Sequence, residues 1–267
     1  MLRTRLATAA VAIPGLWLIV EYLWAPLFNG FILAVTMIAL LEYFAMAIPE
    51  QALDRGVGIA WGTVVAAGVL WRQPEVWGAG LALSGIGGLT FLVLHASDLR
   101  GAVDRLGLTL LGVLYLGFLT PHIVLLRSMT DGWRWLLFTV FVAMGSDSGG
   151  YFAGRAMGRH PLAPAISPSK TREGAAGGIA GAMLIAWICR TVFFRSLGLP
   201  EGLILGAAIS VLAQLGDLCE SALKRAFGAK DSGWIIPGHG GILDRLDSLL
   251  FPVVFAYYYA YAALPRA

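Results

Sequence analysis

Charge is what this sequence has least of. Only 13% of its 267 residues are Asp, Glu, Lys or Arg, whereas 58% are hydrophobic and the mean hydropathy is +0.76. Soluble domains carry about 25% charged residues. Half that fraction leaves too little polar surface to cover a water-soluble globule, so the fitting solvent for this chain is lipid. Cysteine is nearly absent as well. Cys189 and Cys219 lie in or beside apolar runs with no CxxC or zinc-finger spacing, so they read as buried reduced thiols rather than metal ligands. No GxxxxGK[ST] occurs, which excludes a P-loop kinase. Low-complexity tails, long linkers and clear internal repeats are missing too. The net charge of +3 suits an anionic membrane surface or phosphate-rich substrates, and no nucleic-acid partner is expected.

What is present is a series of long apolar runs. A helix needs about 20 apolar residues to cross roughly 30 Å of hydrocarbon. The runs predict an all-α, polytopic integral membrane helix bundle of nine spans: Leu6–Trp24, Leu27–Ile48, Gly56–Trp71, Val76–Ala96, Leu106–Leu126, Trp135–Gly154, Ala175–Phe194, Leu203–Ala222 and Leu249–Leu264. Gly56–Trp71 is the shortest. The first run could pass for a signal peptide, but it continues to Trp24 and further spans follow, so it reads as a membrane helix. We divide the chain into N-terminal helices over 1–134 and a catalytic region over 135–267, within one integral unit. Of the 19 Lys and Arg residues, thirteen fall on the side of the N-terminus and the even-numbered connections. That bias predicts a cytoplasmic location for this side.

Polar residues inside or against the spans need a partner or a task. Glu42, in the second span, fits either a carboxyl bonded to a neighbouring helix or a site residue. Pro121 and His122 read as a proline kink beside a satisfied histidine. The run Gly145-Ser-Asp-Ser-Gly-Gly150 weakens a helix but permits close approach, and Asp147 adds a carboxylate that packing does not require. The loop from Arg155 to Gly174 carries Ser167-Pro-Ser-Lys-Thr-Arg-Glu-Gly174 into a helix start. Ordinary capping by a hydroxyl and Glu173, and phosphate binding at a helix N-terminus, both fit it.

Charge concentrates in one stretch, Ser221 to Asp247, together with the end of the eighth span before it. Asp217, Ser221 and Lys224 are spaced i, i+4 and i+7, which puts them on one helix face, with Gln214 and Glu220 beside it. A self-satisfied polar stripe is one reading; a face for a metal and a phosphate is the other. Asp244 and Asp247, at i and i+3, share a second face. Carboxylates this close call for a cation, and magnesium takes one or two of them plus substrate phosphates. Asp217, Asp244 and Asp247 are therefore the candidate metal ligands. Lys224, Arg225, Lys230 and Arg245 are the candidate phosphate partners. His239 fits an acid–base, a phosphate-donor or a loop-anchoring role, and Gly240 and Gly241 allow close backbone approach.

The run Ser221-x-Leu-Lys-Arg-x4-Lys-Asp-x-Gly-x2-Ile-Pro-x-His-Gly-Gly-Ile-x-Asp-Arg-Leu-Asp247 resembles the signature of the phosphatidate cytidylyltransferases, the CDP-diacylglycerol synthases. Asp147-Ser-Gly-Gly-Tyr151 is similar to that family's Asp-Thr-Gly-Ala-Tyr, and the segment from Ser167 to Gly174 resembles another family segment. The likeness covers the C-terminal half; the N-terminal half matches as a string of spans. It implies transfer of a cytidylyl group from CTP to phosphatidic acid, giving CDP-diacylglycerol and pyrophosphate. It implies Mg²⁺, with a second cation such as K⁺ proposed beside it, a homodimer in the bacterial inner membrane, and membrane lipids as surroundings. By motif, Asp217, Asp244 and Asp247 correspond to the metal site. Ser221 and Lys224 would serve the phosphate, and Asp147, Lys170 and Lys230 would place CTP or pyrophosphate. The phosphate of phosphatidic acid is itself the nucleophile, so no Ser, Cys or His nucleophile is required. A secondary transporter would also carry intramembrane carboxylates, but paired repeats with a midplane site are not seen. A CTP-dependent polyprenol kinase would release CDP instead of pyrophosphate.

Overall fold

The computed structural model describes residues 14–95, 98–233 and 241–263. Residues 14–22 are helical (α1). They are followed by α2 (Ala25–Ala47), α3 (Ala52–Leu70), α4 (Pro74–His95) and α5 (Leu99–Gly112). A π-helical turn over Val113–Phe118 joins α5 to α6 (His122–Arg127). Next come α7 (Gly132–Met157), two short strands β1 (Pro161–Ala163) and β2 (Ser167–Thr171), then α8 (Arg172–Val192), α9 (Leu199–Ala226) and α10 (Leu243–Ala263). Among the described residues, six stretches are long and apolar enough to cross a membrane: α2, α3, the run α5–π–α6, α7, α8 and α9. The chain is a polytopic helical membrane bundle, as its hydropathy predicts.

Local chemistry sets the helix ends. Pro26 and Pro200 sit in the first turns of α2 and α9, where a missing N–H costs nothing. Asp98 caps α5 by accepting from the N–H groups of Arg100 and Gly101. The shortest expected span, from Gly56, begins earlier, at Ala52, because Asp54 is accommodated in the first turn and pairs with Arg105 at 3.2 Å. The fifth span is not one α-helix. It widens into the π turn ahead of Pro121, and His122 beyond it uses Nδ1 on the carbonyls of Phe118 and Leu119.

Three expectations need correction. The loop from Arg155 to Gly174 contains an antiparallel hairpin, β1 on β2, within an otherwise helical chain. Cys219 is exposed on α9, although Cys189 is buried. The glycine run of the sixth span does not weaken α7, which continues unbroken to Met157. Gly145 and Gly149 face Gly177 and Gly181 of α8 instead. A Cβ at Gly181 would stand 2.6 Å from the Gly145 carbonyl oxygen. This is the small-xxx-small solution to helix packing in lipid, where close backbone approach replaces the missing hydrophobic drive.

One contiguous core runs through the bundle, with Leu40, Tyr43, Phe44, Leu116, Phe138, Ile209 and Leu250 fully buried. Helix α8 lies between α7 and α9, and α10 packs on α9, α7 and α2. A polar belt crosses this core. Ser146 and Ser210 share a hydrogen bond of 2.7 Å, and the Gln214 amide donates to Ser210 Oγ and to the Ala175 carbonyl. It ties α7, α8 and α9 together directly beneath the polar end of the bundle.

Candidate active site

The C-terminal part of α7, the hairpin, the start of α8 and the end of α9 enclose a cavity of about 550 Å³. Asp147, Tyr151, Arg155, Lys170, Thr171, Gln214 and Asp217 are among its lining residues. The hairpin is fixed to α8 by two devices. Thr171 Oγ1 accepts the Gly174 N–H at 3.1 Å, capping the helix. Glu173 accepts the N–H groups of Arg159 and His160 and pairs with the His160 ring. Of the two readings of this segment, capping is therefore in use. It sets Lys170 over the cavity.

Within that cavity, Lys170 Nζ lies 2.5 Å from Asp217 Oδ2. The contact is an ion pair without directed hydrogen-bond geometry. Ser221 donates to the other Asp217 oxygen at 3.4 Å. Asp147 and Asp247 complete a carboxylate group with Asp217, all three close enough to repel one another. The Ser248 side chain lies beside Asp147, and the Ser248 N–H donates to Asp247 Oδ1. Gly216 is what brings α9 and α10 together here: a Cβ in its place would run into the Asp247 carbonyl oxygen. The result is three carboxylates with Lys170 as the cation in direct contact.

Asp244 is in a different position. Its Oδ1 is 2.7 Å from Lys224 Nζ, and its Oδ2 accepts the N–H groups of Gly241 at 2.8 Å and Ser232 at 3.1 Å. Lys224 also contacts Glu220 Oε2 at 2.7 Å. Glu220 is fully buried on the next turn of α9. Ser232 Oγ accepts the Asp244 N–H and donates to Glu42, which also receives the N–H groups of Ile242 and Leu243. Lys224 lies near enough to Asp247 to attract it, so the two networks meet at that residue.

The face Asp217–Ser221–Lys224 is thus present on α9, but its two ends have separate partners. Asp147, Lys170, Asp217 and Asp247 are brought together, and Lys224, Asp244 and Gly241 form the adjoining set. Arg225, Lys230 and Arg245 are exposed and do not line the cavity. His239 and Gly240 lie outside the described residues. Sequence reasoning put Glu220 beside the candidate face without a role, and did not place Ser232 or Arg155 at the site. Glu220 had a legible signal, standing i, i+4 from Lys224. For Ser232 there was none.

The model of the Cytidylyltransferase family matches residues 3–263. The chain belongs to the cytidylyltransferase family. It is 41% identical over 171 residues to the phosphatidate cytidylyltransferase of Bacillus subtilis (strain 168), a segment covering 64% of this chain and 63% of that protein. It is 35% identical over 224 residues to the phosphatidate cytidylyltransferase of Staphylococcus epidermidis (strain RP62A), covering 83% and 85% of the two chains. For the Staphylococcus aureus (strain COL) protein of the same name the values are 32% over 222 residues, 81% and 83%. The family match extends well beyond the C-terminal half that carries the motifs. It takes in α2, and with it Glu42.

Proposed function

We propose that this chain transfers the cytidylyl group of CTP to phosphatidic acid, forming CDP-diacylglycerol and pyrophosphate. The observation that carries the reading is the match, over about four-fifths of the chain, to proteins named phosphatidate cytidylyltransferase. The carboxylate-and-lysine cavity supports it. An oxygen of the lipid phosphate attacks the α-phosphorus of CTP; that P–O bond forms, the bond to the β-phosphate bridge breaks, and pyrophosphate departs with the electron pair. Such a reaction asks for positioning and charge neutralisation rather than a protein nucleophile.

The residues present fit a magnesium ion. Asp147, Asp217 and Asp247 hold more negative charge than Lys170 balances, although among the described residues no three His, Cys, Asp or Glu side chains stand close enough to hold a metal ion in common. Magnesium needs only one or two carboxylates and keeps waters for the substrate phosphates to replace. Asp217 and Asp247 are the first choices, with Asp147 beside them. Asp244, whose oxygens already serve Lys224, Gly241 and Ser232, contributes its charge from the rim. When bound, the ion supplies Lewis-acid polarisation of the phosphoryl oxygens. Lys170 and Arg155 present positive charge to the nucleotide phosphates from the hairpin side. Lys224 meets phosphate charge beside Asp247, and Ser221 orients Asp217. The Lys and Arg bias supports a cytoplasmic cavity, where CTP is found, and the motif resemblance extends the reading to a homodimer.

Purified protein in mixed micelles, given labelled CTP, phosphatidic acid and Mg²⁺, should yield label in the extracted lipid and an equal amount of pyrophosphate. Release of CDP with a polyprenol acceptor would make it a kinase instead. Substrate uptake into proteoliposomes without any new lipid product would make it a transporter.

A further inference from the structure

Glu42 is a buried charged side chain that the mechanism above does not use. It comes from α2, far from the cavity in sequence, yet it is only 4% exposed and sits against the entrance to α10. Oε1 accepts the Ile242 N–H at 3.0 Å; Oε2 accepts the Leu243 N–H at 2.9 Å and faces the Ser232 hydroxyl at 3.4 Å. These are groups the helix cannot satisfy itself, since the first N–H groups of any α-helix have no intrahelical partner. Both neighbouring glycines are shaped around the carboxylate. A Cβ at Gly233 would stand 2.6 Å from Oε1, and one at Gly241 would stand 2.5 Å from Oε2.

Glu42 and Asp244 meet at Ser232, and they hold adjoining backbone at the start of α10. Ser232 and Gly241 each donate a backbone N–H to Asp244 Oδ2, and Ser232 Oγ accepts the Asp244 N–H. Asp244 in turn fixes Lys224 at 2.7 Å. A continuous chain of contacts therefore runs from α2, through Ser232 and the start of α10, to Asp244 and the lysine beside the carboxylate cluster.

We infer that Glu42 is a positioning residue for the transfer reaction: it clamps the Ser232 hydroxyl and the Ile242–Leu243 backbone so that Asp244 presents Lys224 to the phosphates. The inference rests on the cytidylyl-transfer reading for its kinetic consequences, but not for its geometry. All three partners of Glu42 donate, so the site suits a side chain with two acceptor oxygens. Glutamine keeps the size and one acceptor, but points an NH₂ at a donor whichever way its amide is turned. Aspartate keeps both acceptors on a shorter arm.

The test measures kcat and KM per mole of folded, monodisperse protein. Glu42→Gln should lower kcat by about tenfold to a hundredfold, the scale of a misplacement of roughly an ångström at a reacting site. KM for CTP should change little, because the cavity residues that line the nucleotide side are untouched. Glu42→Asp should recover part of the loss. Ser232→Ala combined with Glu42→Gln should cost no more than the larger single change, since both act on one chain of contacts. Amide exchange at Ile242 and Leu243 should accelerate in Glu42→Gln while the α8 start, at Gly174, keeps its protection. Wild-type kcat in folded Glu42→Gln, or losses that multiply fully with Ser232→Ala, would overturn the inference. If the wild-type protein makes no CDP-diacylglycerol, the reading of function fails while the exchange measurement still decides the clamp. Unchanged exchange at Ile242 and Leu243 would sink the clamp whatever the activity.

Discussion

Two ionic networks adjoin at Asp247, and they are built on opposite plans. Around Lys224, each charge has a partner: two carboxylates on one ammonium, with the Asp244 oxygens further engaged by backbone N–H groups. Its side chains are nearly enclosed, at 14%, 1% and 13% exposure for Lys224, Glu220 and Asp244. Around Asp217, three carboxylates crowd a single directly paired lysine, and that pair is about a third open. A closed network holds geometry; it fixes the one ammonium it can offer to a phosphate. An open network with surplus negative charge is poised for a cation, and through it for phosphate. On the proposed function the comparison divides labour at the site: the Lys224 set is the frame, and the Asp147–Asp217–Asp247 set is the receiving face.

That division can be broken most forcibly at Lys224. Lys224→Ala leaves Glu220 and Asp244 buried without their cation, a change on the order of 3–5 kcal/mol in stability. Both the melting temperature in detergent and lipid product should collapse; a variant that keeps its melting temperature would show that the network is not a frame. Asp217→Asn should do the reverse. Because the carboxylate is partly open and its neighbours repel it, folding should survive while turnover falls by about a hundredfold or more, and added Mg²⁺ should not restore it. Near-normal turnover in that variant would remove Asp217 from the receiving face. Gly216→Leu tests what joins the two networks. Its side chain would push α10 from α9 at Asp247, with a cost of about 1–3 kcal/mol, and activity should drop even though no charge is altered; unchanged activity would mean that the Asp217–Asp247 approach is dispensable. The smallest effect belongs to Arg105→Ala, which breaks the Asp54 pair at 3.2 Å, a partly exposed contact far from both sets. Its stability change should stay below about 1 kcal/mol, with turnover intact in the same assay.

Much of this architecture was legible from local pattern. Runs of apolar residues locate the helices because a lipid-exposed backbone has to satisfy its own hydrogen bonds, and that requirement is met within each segment. The i, i+4, i+7 spacing puts Asp217, Ser221 and Lys224 on one face of α9 for the same reason. Other features escaped. The glycines of α7 read as a weakness until α8 is seen to fill the space they leave. The hairpin over 161–171 was hidden in a loop, since β1 is only three residues long and gives no alternating pattern. Cys219 read as buried because its segment is apolar, but an apolar helix in lipid has an outer face too.

By itself the sequence determined that this is a helical membrane protein, which residues are candidates for its chemistry, and which family they resemble. Those properties depend on composition and on neighbours a few positions apart. Tertiary structure alone decided the remote pairings: Asp217 with Lys170, Lys224 with Asp244, and Glu42 with an α10 entrance 200 residues away. A carboxylate's partner is set by distances of a few ångströms between remote parts of the chain. Only the packing of α2, α9 and α10 against one another brings those distances into being.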